Sequence, residues 1–329
     1  MKIPVVLLVL VAAALALDDI EQEWAAYKAK HNKKYSGKED LFRKELFVKT
    51  KQIVEEHNKK HAAGLVTYTR AVNQFADLTP EESRRYLSCL SGTGTRNGTW
   101  ASHVRAAGAA VADEVDWRAK GAVTRVKYQG MCGSCWAFSA IGALEGLNFL
   151  KHGKLVELSE QNLVDCDRHD KGCHGGFPSR AYHYIIEQNG VDTEASYPYD
   201  SAGGHVSQCR YKADAVGARV ASVVGIKQGS EEELQHAVAT VGPISVAIDA
   251  GQISFHQYGG GVYYDENCSE RKLTHAVTLV GFGTQAGQDY WLVKNSWDET
   301  WGERGYVKMA RNRNNQCGIA TLAVYPIVV

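Results

Sequence analysis

The sequence predicts an α+β chain in which one helical and one antiparallel β subdomain follow a helical front segment. Two observations carry this. The stretch CWAFSAIGALEGLNFLKHG places Trp136, Ala140, Leu144 and Leu147 at steps of 4, 4 and 3, a helical period, and ends on Gly153, a good C-cap. Downstream, GPISVAIDA, HAVTLVGFG, DYWLVKNSW and RGYVKMAR are short β-branched and aromatic runs bounded by Gly and Asn, which read as strands.

In chain order, residues 1–16 open with Lys2, continue as an apolar run and reach Ala14-Leu15-Ala16. This is the pattern of a secretory signal peptide, too short for a membrane span. No other stretch is long and apolar enough to cross a bilayer, so no membrane partner is expected. Residues 18–78 are rich in charge and helix formers. Residues 79–112 turn loose, with Gly, Ala, Ser and Thr prominent, and read as an exposed linker where proteases cut. Asn97-Gly98-Thr99 within it is a glycosylation acceptor. Residues 113–329 hold seven of the eight cysteines and form the globular body, in which LSEQNLVDC starts a helix with Ser159 as N-cap.

Charge divides the same way. The whole chain balances 37 Lys and Arg against 37 Asp and Glu, which argues against a nucleic-acid partner. Residues 18–110 hold 16 basic and 12 acidic side chains, net +4, whereas residues 111–329 hold 20 and 25, net −5. A basic front segment beside an acidic body suggests that the two dock, with acid loosening them as carboxylates near their ordinary value of about 4 take up protons.

In QGMCGSCWAFSA, Cys132 and Cys135 are three positions apart. Such a pair can be a redox couple, half of a zinc site, or a disulfide partner beside a nucleophile. Zinc needs a second tight pair of ligands, and the later cysteines offer none, so no metal is expected. A thioredoxin-like couple should follow a strand in a βαβ unit, and no such alternation surrounds the motif. Cys135 sits where a helix should begin, and the exposed N–H groups and dipole there favour a thiolate.

A thiolate nucleophile needs a base and an acid, and histidine supplies both near neutral pH. Of twelve histidines, His275 stands at the head of an apolar strand, and Asn295 follows 20 residues later in the next strand pattern. The amide of Asn295 can accept from His275 Nδ1–H and turn Nε2 toward the thiolate, with Trp297 and Trp301 shielding that bond. Gln129, six residues before Cys135, can join the Cys135 N–H in binding an oxyanion.

These motifs resemble those of papain-like cysteine peptidases, most closely the cathepsin L group. The family signature C-G-[SA]-C-[WY] appears as CGSCW, with His275 and Asn295 at 140 and 160 residues after Cys135. VDWRAKGAVTRVKYQGMCGSCWAFS, LSEQNLVDC, GCHGGFP, VGPISVAIDA, THAVTLVGFG and VKNSWDETWGERGYVKMARNRNNQCGIA match in order. The front segment resembles the family's inhibitory propeptide through Glu39, Arg43, Phe47, Thr50, Val54 and Asn58, then Ala71, Asn73, Phe75 and Asp77. Thr50, Val54 and Ala71 stand where the family has Asn, Ile and Gly.

The resemblance implies a papain-like two-subdomain fold with a β-barrel-like second half, and a zymogen divided into 1–16, 17–110 and 111–329. It implies bridges Cys132–Cys173, Cys166–Cys209 and Cys268–Cys317, with Cys89 left in the propeptide. It implies that Gly133, Gly175 and Gly176 meet the substrate backbone, that Phe177, Pro178, Ala247, Leu273, Ala276 and Leu322 line an apolar S2 pocket, and that Trp297 adjoins the site. No insertion resembles the occluding loop of cathepsin B, so endopeptidase activity is implied, without a cofactor. The expected partners are peptide and protein substrates, the chain's own propeptide and cystatin-type inhibitors. The expected state is a monomer in the secretory pathway, in lysosomes or outside the cell.

Two positions depart from the family pattern. Thr274 precedes His275 where Asn or Asp is usual, and Asp298 follows N-S-W where Gly is usual. A carboxylate near His275 would favour the imidazolium, and a Cβ at 298 would strain a backbone built for Gly. The alternatives are an inactive homologue acting as a binding protein and a secreted thiol–disulfide oxidoreductase. Inactive homologues usually lose a catalytic residue, whereas Cys135, His275, Asn295 and Gln129 are all present.

Overall fold

A computed structural model describes residues 19–87, 90, 101–105 and 112–329. The expected signal peptide, Cys89, Asn97 and Val111 lie outside the described residues. The front segment is two long helices, α1 (19–30) and α2 (Gly37–Ala62), then strand β1 (Tyr68–Arg70), the short helix α3 (Pro80–Arg85) and strand β2 (Ala101–Ser102). The body begins at β3 (Val115–Asp116) and continues with helices α4 (Cys135–His152), α5 (Glu160–Cys166) and α6 (Pro178–Glu187). Strands β4 (Val191–Asp192), β5 (Val216–Ala218) and β6 (Val220–Gly225) lead to α7 (Glu231–Thr240), β7 (Ile244–Ile248), α8 (Ile253–His256) and β8 (Tyr258–Tyr263). Then follow β9 (His275–Gln285), β10 (Gln288–Lys294), β11 (Tyr306–Ala310) and β12 (Ala323–Val328).

The helical half and the strand-rich half fall as the sequence predicts. The main sheet runs β1-β8-β11-β10-β9-β7-β12-β6-β2, with β3 added on β9. Its pairings are antiparallel except β8–β11 and β2–β6. The front segment therefore supplies both ends of that order, an arrangement that the expectation of an exposed linker does not anticipate.

Helix α4 lies against β7, β9 and β12 on one side and α6 on another. Its first fourteen residues are buried on every face except at Gly142, so the helical period seen in the sequence marks a central helix rather than an amphipathic one. Gly142 is what lets it approach β9: a Cβ there would stand 2.5 Å from Thr278 Oγ1. That approach brings Cys135, at the first turn of α4, to His275, at the first residue of β9. The helix ends as expected on Gly153 at φ +74, and Ser159 caps α5 by accepting from Asn162 N at 2.9 Å.

The three implied disulfides all form: Cys132–Cys173, Cys166–Cys209 and Cys268–Cys317, closing separations of 41, 43 and 49 residues. Each removes about 4 kcal/mol of chain entropy from the unfolded state on the loop-closure model.

The propeptide pattern folds as one face of α2. Phe47 and Val54 are buried, Arg43 forks onto both carboxylate oxygens of Glu82, and Asn58 bonds the N–H and C=O of Arg70. Phe47 joins Trp24, Tyr27 and Ala76 in a small core of the segment's own. Asp77 is fully buried and accepts from Tyr27, Tyr35 and Lys33 at 2.7–2.9 Å. One expectation is corrected here. Residues 79–112 are not loose from their start, because Thr79-Pro80-Glu81-Glu82 is a capping box that opens α3.

Candidate functional site

Cys135 is fully buried at the N-terminus of α4 and stays out of the three disulfides. Its neighbour Cys132 bonds Cys173, which excludes both a Cys132–Cys135 redox couple and a shared metal. The backbone N–H of Ala276 donates to Cys135 Sγ at 3.1 Å, so the sulfur faces the backbone of β9 next to His275.

His275 is buried, with its ring stacked on Trp297 at 4.8 Å between centroids. Its Nε2 meets Asn295 Oδ1 at 2.8 Å. The backbone N–H of Ser296 also donates to Oδ1, at 2.8 Å, which identifies that atom as the amide oxygen and makes Nε2 the donor. The expectation that Nδ1 serves Asn295 and Nε2 the sulfur is therefore reversed. Nε2 is the ring nitrogen that reaches Asn295 at the end of β10, which leaves Nδ1 as the one not bound there. Trp301, expected beside this bond, packs edge-on against Trp297 and donates its Nε1–H to His256 O.

Gln129 is fully buried. Its Nε2 donates to Cys132 O at 2.9 Å and reaches Tyr86 O of the front segment at 3.5 Å. Two residues that sequence reasoning missed hold it. Ser296 Oγ donates to Gln129 Oε1 at 2.6 Å, and Tyr199 OH donates to Gln129 O at 2.8 Å while bonding Ser134 Oγ. Ser296 adjoins Asn295 and could have been suspected. Tyr199 lies 70 residues from Gln129 in sequence and gives no local signal.

The two departures are each accommodated. Asp298 adopts φ +70, the left-handed conformation that favours Gly, and its carboxylate accepts from Thr300 N at 3.0 Å. Its charge acts on His31 and Tyr128. Thr274 Oγ1 accepts from Ala250 N at 3.0 Å.

Among the residues expected to meet substrate, Ala247 pairs with Ala276 across β7 and β9, and its N–H donates to Leu322 O at 3.0 Å. Phe177 and Pro178 come from the start of α6, and Gly133 N donates to Cys173 O, beside Gly175 and Gly176. Leu273 is half-buried against the Gly318 turn. The front segment packs against the body beside these residues. β1 pairs with β8, Asn73 and Gln74 donate to His256 O and Trp297 O at 2.7 Å, and Phe75 lies edge-on to Trp297. Leu90 then packs on Cys135 and Ala276.

Residues 111–327 match the family model of papain family cysteine proteases, and residues 24–83 match that of the cathepsin propeptide inhibitor domain. The chain is 49% identical over 318 residues to digestive cysteine proteinase 1 of Homarus americanus, covering 95% of this chain and 97% of that protein. It is 47% identical over 337 residues to cathepsin L of Sarcophaga peregrina, covering 98% of each. Among solved structures, digestive procathepsin L2 of Tenebrio molitor larval midgut superposes with a TM-score of 0.89 at 41% identity, covering 93% of this chain and 99% of that one.

Proposed function

The chain belongs to the papain family of cysteine proteases, and on that premise we propose that Cys135 is its nucleophile and His275 its acid and base. It is a cathepsin L-like protease that carries its propeptide. The observation that carries the proposal is the meeting of α4 and β9. One strand-head N–H donates to the Cys135 sulfur while Asn295 holds the adjacent imidazole by Nε2, leaving Nδ1 to exchange protons with the thiol.

His275 Nδ1 takes the Cys135 proton. The thiolate then attacks the scissile carbonyl carbon, and the carbonyl oxygen becomes an oxyanion held by Gln129 Nε2 and the Cys135 N–H. As that oxygen reforms its double bond, the C–N bond breaks and Nδ1–H protonates the leaving amine. A water molecule gives its proton to Nδ1, attacks the thioester and releases the acid product and the thiol. Trp297 covers the ring and Asn295 fixes its angle, so that one nitrogen serves both half-reactions.

The substrate backbone lies along Gly175 and Gly176, and the side chain before the P1 residue enters the apolar space between Phe177, Ala247, Ala276 and Leu322. Burying an unpaired guanidinium there is costly, so Leu, Phe or Val is preferred at P2 and Arg rejected. The propeptide is residues 17–110 and the mature enzyme 111–329. The eight cysteines with three disulfides support passage through an oxidising secretory compartment, with work in lysosomes or outside the cell.

The test is labelling of matured enzyme by an epoxide inhibitor of cysteine peptidases, with Cys135→Ala as control. A single adduct on Cys135 and loss of turnover in the variant are expected, and wild-type-like turnover by Cys135→Ala would sink the mechanism. A P2 peptide library tests the pocket, and equal cleavage of P2 Arg and P2 Leu substrates would refute its apolar lining.

A further inference from the structure

Beneath the proposed substrate strand lie two carboxyl groups that the chemistry above does not use. Asp167 ends α5 and Asp170 follows three residues later, and both are buried, 6% and 7% exposed. Each has one oxygen bound to backbone. Asp167 Oδ1 accepts from His169 N at 2.8 Å, and Asp170 Oδ1 accepts from Phe177 N at 3.1 Å and Arg180 Nη1 at 3.4 Å. The second oxygens, Asp167 Oδ2 and Asp170 Oδ2, are both buried and meet no donor from another residue. The two side chains lie within hydrogen-bonding reach of each other. Two ionised carboxylates cannot form that bond, because neither has a proton to give. Burial pushes Asp167 up to about 6, and burial with Asp167 beside it pushes Asp170 up to about 8. The pair is therefore doubly protonated in acid and holds a single shared proton between about 6 and about 8. The other groups facing it are Arg180 from α6, and His169, itself bound to Glu187.

What rests on the pair is the stretch Gly175–Phe177. Gly176 lies directly on Asp170: a Cβ on Gly176 would stand 2.5 Å from Asp170 Cγ and 2.7 Å from Oδ1. Phe177 is held through its N–H, and its ring is covered by the same Arg180, 4.9 Å from the guanidinium to the centroid. Lys171 N closes the turn onto Gly175 O at 2.9 Å. We infer that Asp170, as one half of a carboxyl–carboxylate pair with Asp167, is a positioning residue that holds Gly176 and Phe177 in the conformation receiving the substrate backbone and the P2 side chain. The inference rests on the proposal that this stretch is the substrate platform.

The pH dependence follows from the sign of the shifts. A carboxyl group raised by folding contributes fully below its ordinary value of about 4, and that contribution is lost progressively as pH rises through its folded value. Here the loss runs through about 6 and about 8. The platform is firm while the pair holds a proton and loosens as the last one leaves, on the alkaline side of neutrality. The pair touches neither Cys135 nor His275, so the effect falls on substrate capture rather than on bond cleavage.

The experiment uses matured wild-type enzyme, Asp170→Asn and Asp170→Ala from pH 5 to 8.5. Two substrates are compared, a peptide amide filling P3 to P1 and a short ester with no P2 or P3 residue. Hydrogen exchange at the 171–178 segment is followed in parallel. Asn keeps a carbonyl for Phe177 N–H and brings its own donor for Asp167, so it mimics the protonated acid at every pH. The peptide KM of the wild type should rise roughly fivefold or more across the range, that of Asp170→Asn should stay flat, and that of Asp170→Ala should be raised about tenfold throughout, equivalent to one lost hydrogen bond. The ester KM and all kcat values should follow wild type. An Asp170→Asn profile and exchange rate that track wild type would overturn the shared proton. Exchange that opens with pH and is cured by Asn, with no movement of the peptide KM, would overturn the platform reading instead.

Discussion

Three contacts define the chemistry available to Cys135: the start of α4, the Ala276 N–H on its sulfur, and His275 held from behind by Asn295. Each makes a separate demand on a variant. Asn295→Ala removes the acceptor that fixes Nε2–H, frees the ring to turn, and should lower kcat without changing the labelled residue. Gln129→Ala removes the proposed oxyanion donor and should lower kcat by roughly 10²-fold or more with KM little changed. Steady-state kinetics on matured variants check both, and a Gln129→Ala enzyme with wild-type kcat would remove Gln129 from the proposed site. The residue types here were legible because the chemistry restricts them: a thiolate, an imidazole, and an amide to hold it. Which ring nitrogen does which task was not legible. It depends on where the sulfur meets the β9 backbone, which is set by the Gly142 approach of α4 and not by the spacing of Cys135, His275 and Asn295.

Between α4, α5 and β10 the seam behind the site is ionic. Lys127 Nζ bonds Glu145 at 3.0 Å, Glu160 at 2.8 Å and Leu158 O at 3.1 Å, and Lys294 reaches Thr124, which in turn bonds Glu145. Burial lowers the Lys127 ammonium, but the two carboxylates outweigh it and hold it well above its ordinary range. Burial pushes Glu160 up against the pull of Lys127, and pulls Lys294 down to about 8. Removing the central cation leaves buried carboxylates facing each other, so Lys127→Met should cost about 3–5 kcal/mol of stability. Adding Glu145→Gln and Glu160→Gln should recover most of it. Urea unfolding of the proenzyme measures both, and a Lys127→Met midpoint equal to wild type would show the cluster to be relaxed by water. At this scale the long helices and the β9–β10 strands were legible from period and composition. The short helix α3 and strand β2 were not: a six-residue helix shows no period, and β2 is a two-residue strand whose pairing with β6 is set by the body.

Across the whole molecule, the docked propeptide rests on few direct ion pairs, whatever the +4 and −5 balance adds at longer range. Among the described residues one ion pair crosses from propeptide to body, Arg105–Glu232, and it is exposed. The propeptide carboxylates held low find their cations inside the propeptide itself: Asp40 through Lys28, and Glu82, lowered to about 2, through Arg43. Histidines occupy the contact instead. His256 is buried between Phe75 of the propeptide and Trp297, and burial, with His275 nearby, lowers it to about 3. Burial lowers His31 to about 4, helped by Lys30 and Lys33 and opposed by Asp77 and Asp298. His103 Nε2 bonds His236 Nδ1 at 2.9 Å, and burial followed by His236 lowers His103 against Glu233. Each shift is downward on a base, so each contribution to docking is fully present above the free value of about 6.5 and is lost as pH falls toward the docked value. A histidine released to solvent then weakens docking up to about tenfold per pH unit below 6.5. Loosening should begin near pH 6, well above the value of about 4 at which carboxylates act. The measurement is cleavage of a non-processing Cys135→Ala proenzyme by added mature enzyme along a pH series, beside the same precursor with His31→Gln, His103→Gln and His256→Gln. The histidine triple variant should resist cleavage from pH 6.5 down to about 4.5, where its parent is cut. If instead the parent resists until pH 4, or the triple variant follows the parent throughout, the carboxylates and not the histidines hold the propeptide in place.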